Sequence, residues 1–338
     1  MILSHRLTKT VAALHDSNGL SCSLKISQKM KLHKLLLLFA ALTFTASCGG
    51  EDPILPPDED GGNNEQPGGE EEELDAEAKA IVSRMETPEI LRDGSTLLIC
   101  HTSSETVNGA KKDVVTYTIE YDKKEYHSRW VAFRFDSATR KKNVSRSGSF
   151  MDDPLLPSDC QIGSSSYSGY DRGHLCASAD RLYSLDANQN TFYMSNMSPQ
   201  LSSFNQGYWV TLEGLVQKLG RNEGFSDTLY VVKGGTIRDG QILTHVNRSN
   251  GAKVAVPKYY FMALLRIKNG IYSSIGFLLE HKNYNYTYED PVAESAMKKH
   301  AMSINQLETT TGINFFPNLP DTKEESIENQ CITSVWGL

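Results

Sequence analysis

Residues 170–181 read YDRGHLCASADR and place Asp171, Arg172 and His174 within four positions of one another. An imidazole with a pKa of about 6.5 exchanges protons near neutrality without special tuning. A guanidinium offers a permanently charged planar fork that matches a phosphate. Asp171 reads as a scaffold residue that braces the loop or orients a donor. The bland alternatives are an Asp171–Arg172 ion pair and a solvated structural histidine.

Partners for such chemistry lie downstream. TFYMSNMSPQ (191–200) reads as a strand ending at Ser195 and Asn196, before Pro199. In FNQGYWVTLEGLVQKLG, Trp209, Leu212, Val216 and Leu219 recur at spacings of three and four, which predicts a helix opening with Asn205 and carrying Glu213. The amide oxygen of Asn205 is the kind of hard ligand that Mg²⁺ accepts while keeping most of its waters. Eight helical residues span about 12 Å and roughly 80° of rotation, too far for easy direct ligation of one cation by both residues. Glu213 leans back toward Asn205 and is better placed to act through a water. The alternatives are a helix N-cap for Asn205, a solvated helix face for Glu213, and a turn role for Asn196 ahead of Pro199. A base, a cation site and a guanidinium together meet the needs of phosphodiester hydrolysis, in which water loses a proton and an anionic phosphoryl group gains charge.

DRGHLCASA, SNMSPQ and FNQGYWVTLE, in that order, resemble the signature of the DNA/RNA non-specific endonucleases, the ββα-metal nucleases of the endonuclease G and secreted bacterial type. The resemblance runs from roughly residue 116 to residue 316. It implies a metal-dependent endonuclease of DNA and RNA that leaves 5′-phosphates, with Mg²⁺ as cofactor and Mn²⁺ as a substitute. It further implies His174 as general base, Asn205 as metal ligand, Glu213 reaching the metal through water, and Arg172 on the substrate phosphate. Asn196 matches an asparagine near the family's site and is expected to orient neighbouring groups; Gly173 is a structural neighbour. Upstream, RKKNVSRSGSFMDDP offers Arg140 and Arg146, of which Arg146 is the better match to a phosphate-contacting arginine. Two departures stand out. Ala177 replaces a common proline, and Gln217, beside Lys218, stands where some secreted relatives carry an arginine, which leaves open how the leaving group is stabilised.

The elements that must position these residues read as α+β: a ββα-metal core on a mainly antiparallel sheet flanked by helices. A short amphipathic helix is predicted in residues 74–92, interrupted near Pro88. DVVTYTIEYD, RWVAFRFD, TLYVVKGGTI, YYFMALLRI and YSSIGFLLEH read as strands, and SINQLETTTGI as a helix ending near Gly312.

The chain divides into residues 1–48, a signal region; 49–73, an acidic linker; and 74–338, the nuclease-like domain. MKLHKLLLLFAALTFTASCGG (30–50) has a basic head, an apolar run and small residues leading into Cys48, so Met30 is a candidate true start. The run is too short to span a bilayer. The ending resembles a bacterial lipobox, with Thr45 where leucine is preferred, and implies a lipid anchor at Cys48 and an outer-membrane or cell-surface location. The linker is too acidic and too poor in large apolar residues to fold.

Of 338 residues, 39% are hydrophobic and 22% charged, as in an ordinary globular protein. The net charge of −7 is unevenly spread: residues 49–73 hold ten acids and no base, which leaves 28 bases and 30 acids in 74–338. Charge therefore neither supports nor excludes DNA and RNA as partners, and a near-neutral body needs a local basic strip, for which RKKNVSR (140–146) is the candidate. Cys100, Cys160, Cys176 and Cys331 allow one or two disulfides or free buried thiols, and no C-x-x-C pair points to zinc. Two rival readings are a phosphodiesterase for small substrates on the same core and a non-catalytic nucleic-acid-binding surface lipoprotein. The sequence leaves open whether the chain forms a homodimer.

Overall fold

The computed structural model describes residues 73–107, 110–288 and 290–338. The signal, Cys48 and nearly all of the linker lie outside the described residues. Eleven strands are described: β1 (Thr96–Val107), β2 (Ala110–Asp122), β3 (His127–Phe135), β4 (Asp171–His174), β5 (Met197–Gln200), β6 (Thr228–Gly235), β7 (Ile242–Asn247), β8 (Lys253–Pro257), β9 (Tyr259–Lys268), β10 (Ile271–Glu280) and β11 (Ala301–Met302). With them run α1 (Ala76–Val82), α2 (Leu185–Asn190), α3 (Val210–Arg221), α4 (Pro291–Ala296), α5 (Ile304–Thr311) and α6 (Asp321–Glu328).

Seven strands form one antiparallel sheet in the order β1-β2-β3-β6-β9-β10-β11; β4 pairs with β5, and β7 with β8, as separate ribbons. Side chains alternate between the faces of a strand, and both faces of the large sheet are buried. On β3 and β9, Val131, Phe133, Tyr260, Met262 and Leu264 join one core with Trp209, Leu212 and Val216 of the central helix. Their neighbours Trp130, Ala132, Phe261, Ala263 and Leu265 join a second core with Ile304 and Leu307 of α5. The same alternation on β6 puts Leu229 and Val231 in the first core. Lys233, two positions further on, therefore faces the central helix and is fully buried.

The expected strands in the large sheet are present, as is the helix closing at Gly312. Three expectations change. The helix in 74–92 covers only Ala76–Val82, ending well before Pro88. Residues 194–196 are a 3₁₀ turn and the strand follows at Met197–Gln200, so β5 begins where the sequence suggested an end. The central helical run begins at Ser202, not at Asn205, and Phe204–Trp209 is π-helical before α3 continues to Arg221. The thiols of Cys100, Cys160 and Cys176 are free, two of them buried.

Candidate active site

The β4–β5 ribbon fixes the DRGH segment in register: Asp171 lies opposite Gln200, Arg172 opposite Pro199, Gly173 opposite Ser198 and His174 opposite Met197. Strand alternation then sends Arg172 and His174 to one face. Only glycine fits between them, because a Cβ on Gly173 would meet Gln200 Oε1 at 2.1 Å. The ribbon is sewn to the large sheet by side chains. His127 Nε2 accepts from Ser198 Oγ at 2.7 Å, and Tyr260 donates to the Pro199 carbonyl at 3.0 Å. His281 Nε2 accepts the Leu201 N–H at 2.8 Å, just ahead of the helical run. Both histidines must be neutral to accept, and burial pushes each down to about 4.

Asn196 is fully buried and secures the chain leaving His174. Its Oδ1 accepts the Cys176 N–H at 2.8 Å, and its Nδ2 donates to the carbonyls of Cys176 and Thr191 at 2.9 and 2.8 Å. With its polar atoms so engaged, it holds the loop and does not line the cleft, so it stands outside the catalytic group in which the sequence had placed it.

His174 is half-buried between two aromatic rings, Phe150 at 5.8 Å and Phe192 edge-on at 5.1 Å. Its Nε2 is buried without a partner, which leaves Nδ1 as the nitrogen open to the cleft. Burial, reinforced by Arg146, holds the imidazole far below its ordinary value, at about 3, so it is neutral in the free protein. The same rings carry the two guanidiniums. Arg172 lies over Phe150 at 3.7 Å and donates to the Ser164 carbonyl at 2.6 Å; Arg146 lies over Phe192 at 4.9 Å. Arg172 is thus stacked on an aromatic ring and bonded to a carbonyl.

Asp171 instead bonds across to the helical run. It accepts from Ser202 Oγ at 2.6 Å, Asn205 Nδ2 at 2.9 Å and Gln206 Nε2 at 2.8 Å, and these bonds hold its pKa low against partial burial. Asn205 is no N-cap: its backbone N–H already bonds the Leu201 carbonyl at 2.8 Å inside the helical run. With Nδ2 committed to Asp171, its Oδ1 is the atom left to accept or ligate.

Beneath Glu213 lies a charged cluster that the sequence reading missed. Lys233 Nζ is 2.7 Å from Asp180 Oδ2 and 3.3 Å from Glu213 Oε1. Asp180 also accepts the Ala177 N–H at 2.9 Å and Gln217 Nε2 at 3.0 Å. Burial pushes the Glu213 carboxyl up to about 7, and Lys233 offsets only part of that rise. Burial also opposes the Lys233 charge, but Asp180 and Glu213 outweigh it and keep the pKa above the ordinary lysine value. Gln217 braces Asp180 and Lys218 turns away to Glu294 at 3.3 Å, so neither brings positive charge into the cleft, and the cation of this buried cluster, Lys233, comes from the sheet and does not line the cleft. A lone lysine in the apolar run TLYVVKGG was the available signal.

Arg146, Arg172, His174, Asn205 and Glu213 line one open cleft of about 460 Å³, with Gln217 and Tyr288. Arg140 does not join them. It is buried, and its guanidinium bonds the carbonyls of Asp136, Ser226 and Asp227, so the expected basic strip 140–146 contributes Arg146 to the cleft but not Arg140. Among the described residues no three His, Cys, Asp or Glu side chains form a metal cage. The cleft offers the amide oxygens of Asn205, Gln206 and Gln217, each with its NH2 group held by an aspartate, and the carboxylate of Glu213, a hard donor set that fits a divalent cation retaining most of its water.

Comparison with known proteins agrees with this geometry. The family model described as DNA/RNA non-specific endonuclease matches residues 97–322. A nuclease of Nostoc sp. is 30% identical over 223 residues, covering 63% of this chain and 76% of that protein. Mitochondrial endonuclease G of Bos taurus is 29% identical over 217 residues, 62% of this chain and 69% of that protein. A chain in the crystal structure of the EndoG/EndoGI complex shares the fold, with a TM-score of 0.51 and 21% identity over 67% of this chain and 88% of that chain. With the family model spanning more than half of its residues, and the DRGH strand and the Asn205 helix meeting in one cleft, the chain belongs to the DNA/RNA non-specific endonuclease family.

Proposed function

We propose that the chain is a sequence-non-specific endonuclease that hydrolyses phosphodiester bonds of DNA and RNA with His174 as general base. The convergence of His174, Asn205, Glu213, Arg172 and Arg146 on one cleft carries this reading. Arg172 and Arg146 bind non-bridging phosphate oxygens with guanidiniums pre-set on Phe150 and Phe192. A bound phosphate offsets the positive charge of Arg146 and Arg172 beside His174, a smaller influence on the imidazole than its burial. His174 then takes a proton from the attacking water at Nδ1. The P–O3′ bond breaks as the new P–O bond forms; the departing O3′ takes a proton from solvent water and His174 returns its own to solvent, leaving a 3′-hydroxyl and a 5′-phosphate. Asp171 keeps the Asn205 amide oriented, and Lys233 keeps Glu213 in place. A divalent cation, Mg²⁺ or in its place Mn²⁺, would be held by Asn205 directly and by Glu213 through water, and supplies positive charge for the phosphoryl and departing oxygens.

The test is incubation of the protein with plasmid DNA and with RNA, with Mg²⁺ or EDTA, beside His174→Ala. Cleavage of both polymers that EDTA and the variant abolish supports the reading. Absence of cleavage by folded wild type across several divalent ions overturns it. We propose as well that residues 30–48 direct export and lipidation of Cys48, and that the acidic linker tethers the 74–338 nuclease domain at an outer-membrane or cell-surface site; metabolic labelling with palmitate, lost in Cys48→Ala, tests this.

A further inference from the structure

We propose that Tyr288 is a stacking platform for an unstacked nucleobase next to the scissile phosphate, which makes single-stranded nucleic acid the better-bound substrate. The inference rests on the nuclease reading above. Tyr288 is 60% exposed and lines the same cleft as Arg146, Arg172 and His174, where it is the one phenyl-type ring among the described lining residues. The described segments ahead of it and behind it are fixed to the fold. Ahead of it, Tyr284 and Tyr286 pack on Tyr208 with ring centroids 4.7 and 4.9 Å apart. The Tyr286 carbonyl oxygen comes so close to the π-helical segment that a Cβ on Gly207 would meet it at 2.6 Å. Behind it, Asp290 caps α4 by accepting the Val292 N–H at 2.9 Å, and α4 is tied to α3 by the Lys218–Glu294 pair at 3.3 Å.

A tyrosine so anchored beside two guanidiniums has a use that phosphate contacts lack. Every base has a π face, so stacking adds affinity without reading sequence. In a duplex the faces are covered by neighbouring base pairs, whereas a single strand can splay a base onto an aromatic ring. Phosphates on Arg146 and Arg172 with a base on Tyr288 would let one cleft grip a single strand of DNA or RNA at two kinds of group.

The test compares wild type, Tyr288→Ala and Tyr288→Phe on a short single-stranded oligonucleotide and on its duplex. Stacking is worth about 1–3 kcal/mol per base, so Tyr288→Ala is expected to raise KM for the single strand about 5- to 150-fold, with a far smaller change for the duplex. Tyr288→Phe, which retains the ring, restores the single-strand KM. A binding assay needs no turnover: a 2-aminopurine oligonucleotide should be quenched by the His174→Ala protein and not by the His174→Ala/Tyr288→Ala protein. Equal KM changes on both substrates, or quenching that survives Tyr288→Ala, would overturn the stacking site. Hydrolysis of bis(p-nitrophenyl) phosphate, which has no base, reports the catalytic centre separately. Its loss in His174→Ala upholds the nuclease reading whatever Tyr288 does, and its absence in wild type counts against that reading alone.

Discussion

Asp171 Oδ2 accepts a hydrogen bond from Asn205 Nδ2 at 2.9 Å, so the first residue of the DRGH segment sets the direction in which the Asn205 carbonyl oxygen points. Asp171→Ala removes the acceptor for Asn205, Ser202 and Gln206 together. Loss of such a supporting partner typically costs about 10- to 100-fold in metal affinity or activity. The half-saturating Mg²⁺ concentration should rise by that order while the circular dichroism spectrum is unchanged. An unaltered metal requirement would show that Asn205 orients itself.

His174→Ala is expected to lower kcat by about 10²- to 10⁴-fold, the usual contribution of a positioned general base. Its Nε2 has no partner, so the substitution breaks no hydrogen bond of that nitrogen. The melting temperature should hold within a few degrees. A large fall in stability with kcat preserved would assign His174 to the scaffold.

Lys233→Met leaves Asp180 and Glu213 buried without their cation. Breaking a buried ion pair from one side costs about 3–5 kcal/mol. Urea denaturation should register that loss, and Asp180→Asn in the Lys233→Met background should return part of it. If the single variant is as stable as wild type, the cluster is not a buried ion pair in solution.

Arg146 and Arg140, six residues apart, should separate cleanly. Arg146→Ala is expected to weaken DNA binding and to reduce the slope of log K against log salt by about 1, the mark of one lost phosphate contact. Arg140→Ala strips the donor from the Ser226 and Asp227 carbonyls and should cost about 2 kcal/mol of stability, with the salt slope intact. Identical salt slopes for wild type and Arg146→Ala would remove Arg146 from the phosphate site.

Stability should fall in mild acid. His127 and His281 titrate at about 4 in the folded chain, against about 6.5 when unfolded. Between those values the unfolded state binds more protons, so their contribution is complete above about pH 6.5 and is lost as pH falls toward 4. Each histidine then contributes a slope of about 1.4 kcal/mol per pH unit. Denaturant titrations at pH 7.5, 6 and 5 measure the slope, and His281→Gln should lower it by one histidine's share. A slope left unchanged by His281→Gln would mean that this imidazole is not buried neutral.

The chemistry was more legible in the sequence than the scaffold that aims it. His174, Asn205, Glu213 and Arg172 could be named because side-chain type and order along the chain limit what they can do, and the cleft brings all four together. The strands of the large sheet were readable where apolar residues dominate, as on β9. Beyond that, local pattern failed for physical reasons. Lys233 follows the alternation of β6, but only the packing of α3 and of the turn ending at Asp180 over that face gives its charge partners. Arg140 and Arg146 have the same chemistry in one basic run, and only tertiary packing decides that one bonds carbonyls while the other reaches the cleft. The ends of β5 and of the Asn205 helix were misjudged because a 3₁₀ turn and a π segment have no distinct apolar period.

The π-helical segment Phe204–Trp209 makes the site sensitive to chain length as well as to chemistry. A π turn takes up about one residue more than an α turn. Deleting a residue between Asn205 and Val210 would let the helix relax to α form and swing Asn205 about 100° around the axis, away from Asp171, while Glu213 and the apolar face of α3 keep their seats. A single-codon deletion there would move Asn205 and the buried ring of Phe204 together, so the length of this segment holds the site and the core packing in one register.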